Sequence, residues 1–257
     1  MKVLAIGDLI GSSGIKKLKN ELPKIIENEK IDFVIVNGEN SAEGMGITKR
    51  NFEDILEEKV DAITMGNHTW GKKDIFQFID HPKLLRPANY PKGVVGKGYN
   101  IYSCKNKKIA VINLIGRVDI NVLSENPFII AKEIINKIKN QVDMIFVDFH
   151  AEATAEKIAM GNFLDGNVTA VYGTHTHVQT ADEKILPKGT AYITDIGMTG
   201  PKNSVIGMDI QASIKRFETT LPERYKIATG ECFLNGIIFE IDDNTNKVNK
   251  IKRINVE

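Results

Sequence analysis

Asp8, Glu39, Asn40, Asn67, His68, His150, His175 and His177 are the residues of this chain best suited to gather around a metal ion, and each stands at the end of a short apolar run. Asp8 follows VLAIG, Glu39 and Asn40 follow FVIVNG, and Asn67 and His68 follow AITMG. His150 follows MIFVDF, and His175 and His177 follow VTAVYGT. Four of the five histidines belong to this set. Carboxylates supply hard anionic oxygen, amide carbonyls a neutral oxygen, and imidazoles nitrogen. A mixed nitrogen and oxygen set without thiolate suits Fe, Mn or Zn and is poor for Cu(I) or an Fe–S cluster. The set is too large for one tetrahedral ion. It fits two ions about 3.5–4 Å apart that share a carboxylate, a role open to Glu39. Two divalent ions outweigh two carboxylates and one hydroxide. Such a site has a net positive charge, attracts an anion such as a phosphate ester, and supplies hydroxide near neutral pH.

The elements that must position these residues are legible in the same runs. Apolar segments of this length bounded by glycine read as buried strands, and ligands at successive strand ends can converge on one crevice. Strands are expected over 2–7, 32–37, 61–65, 143–148, 168–172 and 190–194. The spacing i, i+2 puts His175 and His177 on one face if their strand continues. Helices are expected over 13–28 with Ser13 as N-cap and Pro23 as a kink or break, and over 49–58, 72–80, 153–160 and 209–217. Asn126-Pro127 opens a further helix to about residue 140. Segments 98–103 and 108–114 flank a polar turn and read as a hairpin, and strands are expected over 225–229, 233–241 and 247–255. Alternating β and α units with hairpins predict a layered α/β core with a partly antiparallel sheet, in one domain over 1–257.

Bulk properties narrow the partners. The chain has 257 residues, 42% hydrophobic and 26% charged, with net charge +1. That balance gives no reason to expect DNA or a membrane surface as a partner. No apolar stretch approaches the ~20 residues that cross a bilayer. The start MKVLAIGD lacks the features of a signal peptide. Cys104 and Cys232 are far apart and outside any CxxC pattern, so disulfides and structural zinc are not expected. The chain reads as cytoplasmic with both thiols reduced. Gly7 to Gly14 lacks the ending of a P-loop, and neither GxSxG nor HExxH occurs. His150-Ala-Glu152 mimics the H-x-E of zinc deaminases, but no PCxxC follows. His81 reads as a loop residue before Pro82, and Trp70 as a packing residue that could instead stack on a substrate base. The loop from Ser41 to Thr48 reads as a connection or a lid. Thr174, Thr176, Thr180 and Thr199 are candidates to touch phosphate.

The order Gly-Asp, strand-end acid, GNH, lone His and GxHxH resembles the calcineurin-like metallophosphoesterases. GDLIGSSG, NGENSAEGMGIT, GNHTWG, DFHAEAT and GTHTHVQTAD, spread over residues 7–182, resemble their YmdB-like family. Beyond residue 182 the likeness rests on TDIGMTG and SVIGMD. The resemblance implies a four-layer α/β/β/α sandwich with two mixed β-sheets and two metal ions, iron first, with manganese or zinc as alternatives. It implies one metal held by Asp8, Glu39, Asn40 and His177, and the other by Asn67, His150 and His175, with Glu39 shared. It implies His68 as proton donor in the hydrolysis of small cyclic nucleotides, 2′,3′-cAMP and 3′,5′-cAMP among them, by a bridging hydroxide. Glu43 is a candidate to keep His68 protonated. The chain departs from the wider superfamily in having Ile10 in place of the usual histidine and Glu39 in place of aspartate. Both departures agree with the YmdB-like subgroup, whereas Ala155 in TAEK stands where that subgroup has serine. A broad phosphomonoesterase and a regulatory nucleotide- or RNA-binding protein with little turnover are the alternatives. A homo-oligomer is compatible with the chain.

Overall fold

Side-chain alternation along the strands assigns every layer of the molecule. The computed structural model describes residues 1–224 and 226–257. In β1 (Lys2–Ile6), Leu4 and Ile6 join one apolar cluster while Val3 and Ala5 join another. The first cluster lies under α1 (Gly11–Glu29), which follows the two-residue β2 (Asp8–Leu9). It continues through β3 (Phe33–Asn37) to α2 (Lys49–Leu56) and β4 (Ala62–Thr64). Strand β5 (Leu84–Leu85) ends this parallel run, with neighbours β1, β3, β4 and β5 in that order.

A second sheet is built from the hairpin of β6 (Tyr99–Cys104) and β7 (Lys107–Ile115), followed by α3 (Pro127–Ile138) and β8 (Met144–His150). Next come α4 (Thr154–Leu164), β9 (Ala170–Thr174), β10 (Lys184–Ile185) and β11 (Ala191–Ile193). Its order is β10-β11-β9-β8-β7-β6, parallel in the middle and antiparallel at both edges. The chain then returns to the first sheet through β12 (Met198–Pro201), α5 (Ile210–Thr219), β13 (Cys232–Ile241) and β14 (Val248–Val256). Strand β13 pairs antiparallel with β1, β12 and β14.

Val3, Phe33 and Phe239 of the first sheet share a buried cluster with Val111, Phe146 and Tyr172 of the second. Phe146 and Phe239 lie 5.7 Å apart between ring centroids, so the two sheets pack face to face. Ile112, Val147 and Val171 turn outward to Ala131 and Ile135 of α3 and Met160 of α4. The four layers are thus helix, sheet, sheet and helix, each sheet mixed in strand direction. Strands buried on both faces read as continuous apolar runs, which is why they stand out in the sequence.

Several local expectations are corrected. Helix α1 starts at Gly11 after Ile10, and the Ser13 hydroxyl donates to the Ile10 carbonyl one turn inside it. The helix runs through Pro23, which lies on its exposed side, where water can serve the freed carbonyl. Over 72–80 only a 3-10 segment, Lys73–Gln77, forms. Bonds from Ile75 N–H to Lys72 and from Phe78 N–H to Ile75 close three-residue turns that still bury Ile75, Phe78 and Ile79. In place of a strand over 225–229, the described residues hold a single bridge between Met208 and Ile227, while Tyr225 lies outside them. No helix among the described residues is long and apolar enough to cross a membrane.

Candidate functional site

The carboxyl ends of the parallel strands in the two sheets meet, and all eight residues named from the sequence meet there. Asp8 leaves the end of β1, Glu39 and Asn40 follow β3, and Asn67 and His68 follow β4. From the other sheet, His150 ends β8 and His175 follows β9 directly. Asp8, Glu39, Asn40 and His150 are buried, whereas Asn67, His68, His175 and His177 are half-buried along a cleft of about 400 Å³.

His150 sits at the centre. Its Nε2 lies 2.9 Å from Asn67 Oδ1, 3.0 Å from His175 Nδ1 and 3.1 Å from Glu39 Oε1. One N–H cannot satisfy three acceptors, and a cation can. Glu39, His150 and His175 offer ligand atoms all within 4.8 Å of one another. On the other side of Glu39, Asn40 Nδ2 lies 3.2 Å from Glu39 Oε1 and 3.0 Å from His177 Nε2. A half-turn of that amide would present its oxygen to the same two groups. His177 Nε2 is 3.9 Å from Asp8 Oδ1, a fully buried oxygen with no hydrogen-bond partner among the described residues. An orphaned buried carboxylate oxygen, crowded imidazole nitrogens and the absence of thiolates fit hard or borderline divalent cations.

The ring orientations are set from behind. The Thr174 hydroxyl donates to Asp148 Oδ1 at 2.7 Å and therefore accepts from His150 Nδ1 at 2.9 Å, which aims Nε2 at the cluster. Asp148 also receives Thr64 Oγ1 and Asn37 Nδ2. His175 Nε2 lies 3.0 Å from Glu152, which turns Nδ1 inward. His177 Nδ1 donates to the Ile206 carbonyl at 2.9 Å and leaves Nε2 for the site. Between the two histidines, Thr176 donates its N–H and its hydroxyl to Asp195, which is also paired with the buried Lys157 at 2.6 Å.

Charge in the metal-free cluster follows from burial and proximity. Burial pushes Asp8 up to about 6, against the pull of His177 and His150. Burial opposes ionisation of Glu39 too, but the His150 charge, with hydrogen bonds from His150 and His68, holds it well below the usual carboxylate range. Burial likewise works against the His150 cation, yet Glu39, Asp8 and Asp148 bring it up to about 9. Burial and the neighbouring His150 depress His175 to about 3. The same acidic surroundings that favour a proton on His150 would favour a cation there, and the two would compete.

His68 Nδ1 lies 2.8 Å from Asn40 Oδ1, and its backbone N–H donates to Glu39 Oε2 at 3.1 Å. Glu43, the expected local partner of His68, is paired instead with Lys72 at 3.1 Å. Glu43 borders the cleft from the loop, where backbone φ is +56° at Glu43 and +81° at Gly44. The His175/His177 pair also departs from expectation. The strand stops at Thr174, and both histidines adopt positive φ, +99° and +65°. Such conformations cost of order 1–3 kcal/mol each and recur at functional sites. Thr174, Thr180 and Thr199 do not line the cleft, and Thr176, which does, commits its hydroxyl to Asp195. Trp70 packs between Phe76 and Tyr90, at 5.5 and 5.7 Å, away from the cleft lining. His81 lies in a turn, with Nδ1 accepting from Lys83 N–H.

Sequence reasoning passed over Asp148, Glu152, Asp195 and Gly66. Asp148 carried a signal, being the lone acid inside an apolar strand two residues before His150. Gly66 is required by space, since a Cβ there would lie 2.3 Å from Glu39 Oε2 and 2.4 Å from His150 Nε2.

Two face-to-face sheets with a histidine, carboxylate and amide cluster at their strand ends define the calcineurin-like metallophosphoesterase fold. The NAD nucleotidase of Haemophilus influenzae shares it at TM-score 0.62 and 14% identity, over 99% of this chain and 55% of that one, a likeness of fold alone. A model of the YmdB-like protein family matches residues 4–254, and the chain belongs to that family. It is 51% identical to the 2′,3′-cyclic-nucleotide 2′-phosphodiesterase of Bacillus subtilis, over 99% of this chain and 96% of the relative. A crystal structure described as a novel phosphatase from Mycoplasma pneumoniae superposes at TM-score 0.94 with 40% identity, covering 100% of this chain and 93% of that one.

Proposed function

We propose that the chain is a metal-dependent phosphodiesterase for small cyclic nucleotides of the 2′,3′-cAMP or 3′,5′-cAMP type, with His68 as proton donor. The observation that supports this reading is the convergence around Glu39 of two sets of side chains able to ligate metal, drawn from both sheets. Asp8, Asn40 and His177 form one group, and Asn67, His150 and His175 the other, with Glu39 between them. Bound there, two divalent ions (iron ahead of manganese or zinc) would supply positive charge to the phosphoryl oxygens and lower the pKa of water. The protein's part is orientation. Thr174 and Asp148 fix His150, Glu152 fixes His175, and the Ile206 carbonyl fixes His177.

His68 engages Asn40 through Nδ1, which leaves Nε2 to pass a proton to the departing ribose oxygen. Without that proton the oxygen must leave as an alkoxide. The 2′,3′-cyclic nucleotides stand first among substrates because the Bacillus subtilis relative is named for them. A phosphomonoesterase reading draws on the word phosphatase in the names of the Mycoplasma relatives. Comparing 2′,3′-cAMP with a simple phosphate monoester at equal concentration separates the two. Hydrolysis of the diester well ahead of the monoester supports the proposal, and the reverse order replaces it.

A further inference from the structure

The side chains along one wall of the cleft have no task in the chemistry above. Met45 and Ile206 are exposed there, at 47% and 49%, and Met208 lines the cleft beside them. They come from two distant segments. Met45 sits on the loop after Asn40, tied back by bonds from Gly44 N–H to the Asn40 carbonyl and from Ala42 N–H to the Gly46 carbonyl. Ile206 is at the tip of a two-residue turn closed by reciprocal backbone bonds between Val205 and Met208, both 2.9 Å. The segments touch, because a Cβ on Gly44 would lie 3.0 Å from the Met208 methyl.

Ile206 is the telling residue. It is β-branched, it has φ +48°, and about half of it is exposed. Left-handed backbone at a β-branched residue is costly, and a half-exposed side chain recovers only part of that cost by packing. Glycine or asparagine would suit the turn better. An isoleucine at this turn therefore points to something that its side chain meets only at times. No lysine or arginine lines the cleft among the described residues, and Lys72 is paired with Glu43 at 3.1 Å. Beyond the metal cluster the cleft thus offers an apolar, polarizable patch beside the Glu43 and Glu152 carboxylates, and no cationic side chain.

We propose that Met45, Ile206 and Met208 form the seat for the base of the nucleotide. The inference rests on the cyclic-nucleotide reading and specifies how the part of the substrate away from phosphorus is held. Thioethers and a branched aliphatic chain meet an aromatic ring face without directional donors, so purines and pyrimidines are both accommodated. The loop from Ser41 to Thr48 is, on this view, a wall of the site.

Met45→Ala and Met208→Ala test the seat, since both side chains line the cleft and neither residue holds a group of the metal cluster. Met45→Leu provides a conservative rescue. Kinetics on 2′,3′-cAMP are compared with kinetics on glycerol 1,2-cyclic phosphate, the same five-membered diester without a base. With melting temperatures unchanged from wild type, KM for 2′,3′-cAMP rises by roughly tenfold in Met45→Ala and Met208→Ala. On the base-free diester kcat/KM shifts less than about twofold in both, and Met45→Leu recovers most of the nucleotide KM. Equal losses on both diesters, or wild-type KM for 2′,3′-cAMP in both variants, overturn the seat alone. A wild-type protein that hydrolyses neither diester overturns the cyclic-nucleotide reading and the seat together.

Discussion

Changing the pH should switch metal affinity in two steps. In the metal-free cluster the His150 proton is held up to about 9, and its Nε2 is the atom faced by Asn67, His175 and Glu39. A metal entering there must displace that proton. Binding measured between pH 6.5 and 8.5 should therefore strengthen about tenfold per pH unit, or about 1.4 kcal/mol. Asp8 is raised to about 6, so a second proton must leave below that pH. The slope then steepens toward about a hundredfold per unit between pH 6 and 5. Above pH 9 both terms are exhausted and the His150 contribution levels off. The assay is calorimetric titration of chelator-stripped protein with Mn²⁺ at pH 7.5 in buffers of different ionisation enthalpy. At least about one proton released per chain is expected from His150. Binding without proton release, at an affinity flat from pH 6.5 to 8.5, would refute the assignment of His150 Nε2 as a ligand.

The same proton stabilises the metal-free fold. His150 is raised from 6.5 to about 9, so its contribution is complete below pH 6.5 and is lost as pH climbs through 9. Denaturant unfolding of stripped protein should show a loss of roughly 3 kcal/mol between pH 6.5 and 9.5, and a flat profile would contradict the charge assignment. His68→Ala should keep metal content while turnover drops by roughly 10²–10⁴, most on substrates with poor leaving groups, as steady-state kinetics with elemental analysis would show. Gly66→Ala should fold but lose metal, because its methyl group would occupy the space between Glu39 and His150. Full metal content in that variant would show that the cluster tolerates displacement. Thr174→Val removes the acceptor of His150 Nδ1, and metal affinity should fall by roughly 10–100-fold.

What the sequence revealed follows from the kind of force at work. Strands β1, β3, β8 and β9 are apolar on both faces because two sheets and two helical layers cover them, so their runs and terminal ligands are conspicuous. Positions that depend on long-range contact were hidden. Nothing local marks His175 and His177 for positive φ, since that conformation is imposed by Thr176 anchored on Asp195, and by Ile206. Pro23 looked like a helix break because propensity ignores the burial of Leu18, Leu22 and Ile25 that carries α1 past it. Glu43 looked like a partner for His68 by proximity in sequence, but left-handed backbone at Glu43 and Gly44 leaves its carboxylate on Lys72. Glu152 appeared only as part of an unproductive deaminase-like pattern. Its role on His175 becomes visible once β8 and β9 lie side by side.

Elemental analysis of purified protein, paired with turnover of 2′,3′-cAMP, tests the central claim most directly. The account predicts about two transition-metal ions per chain in the wild type. It also predicts that Glu39→Gln loses metal and turnover together, since Glu39 stands between both ligand groups. Hydrolysis at the wild-type rate by metal-free Glu39→Gln protein would contradict it.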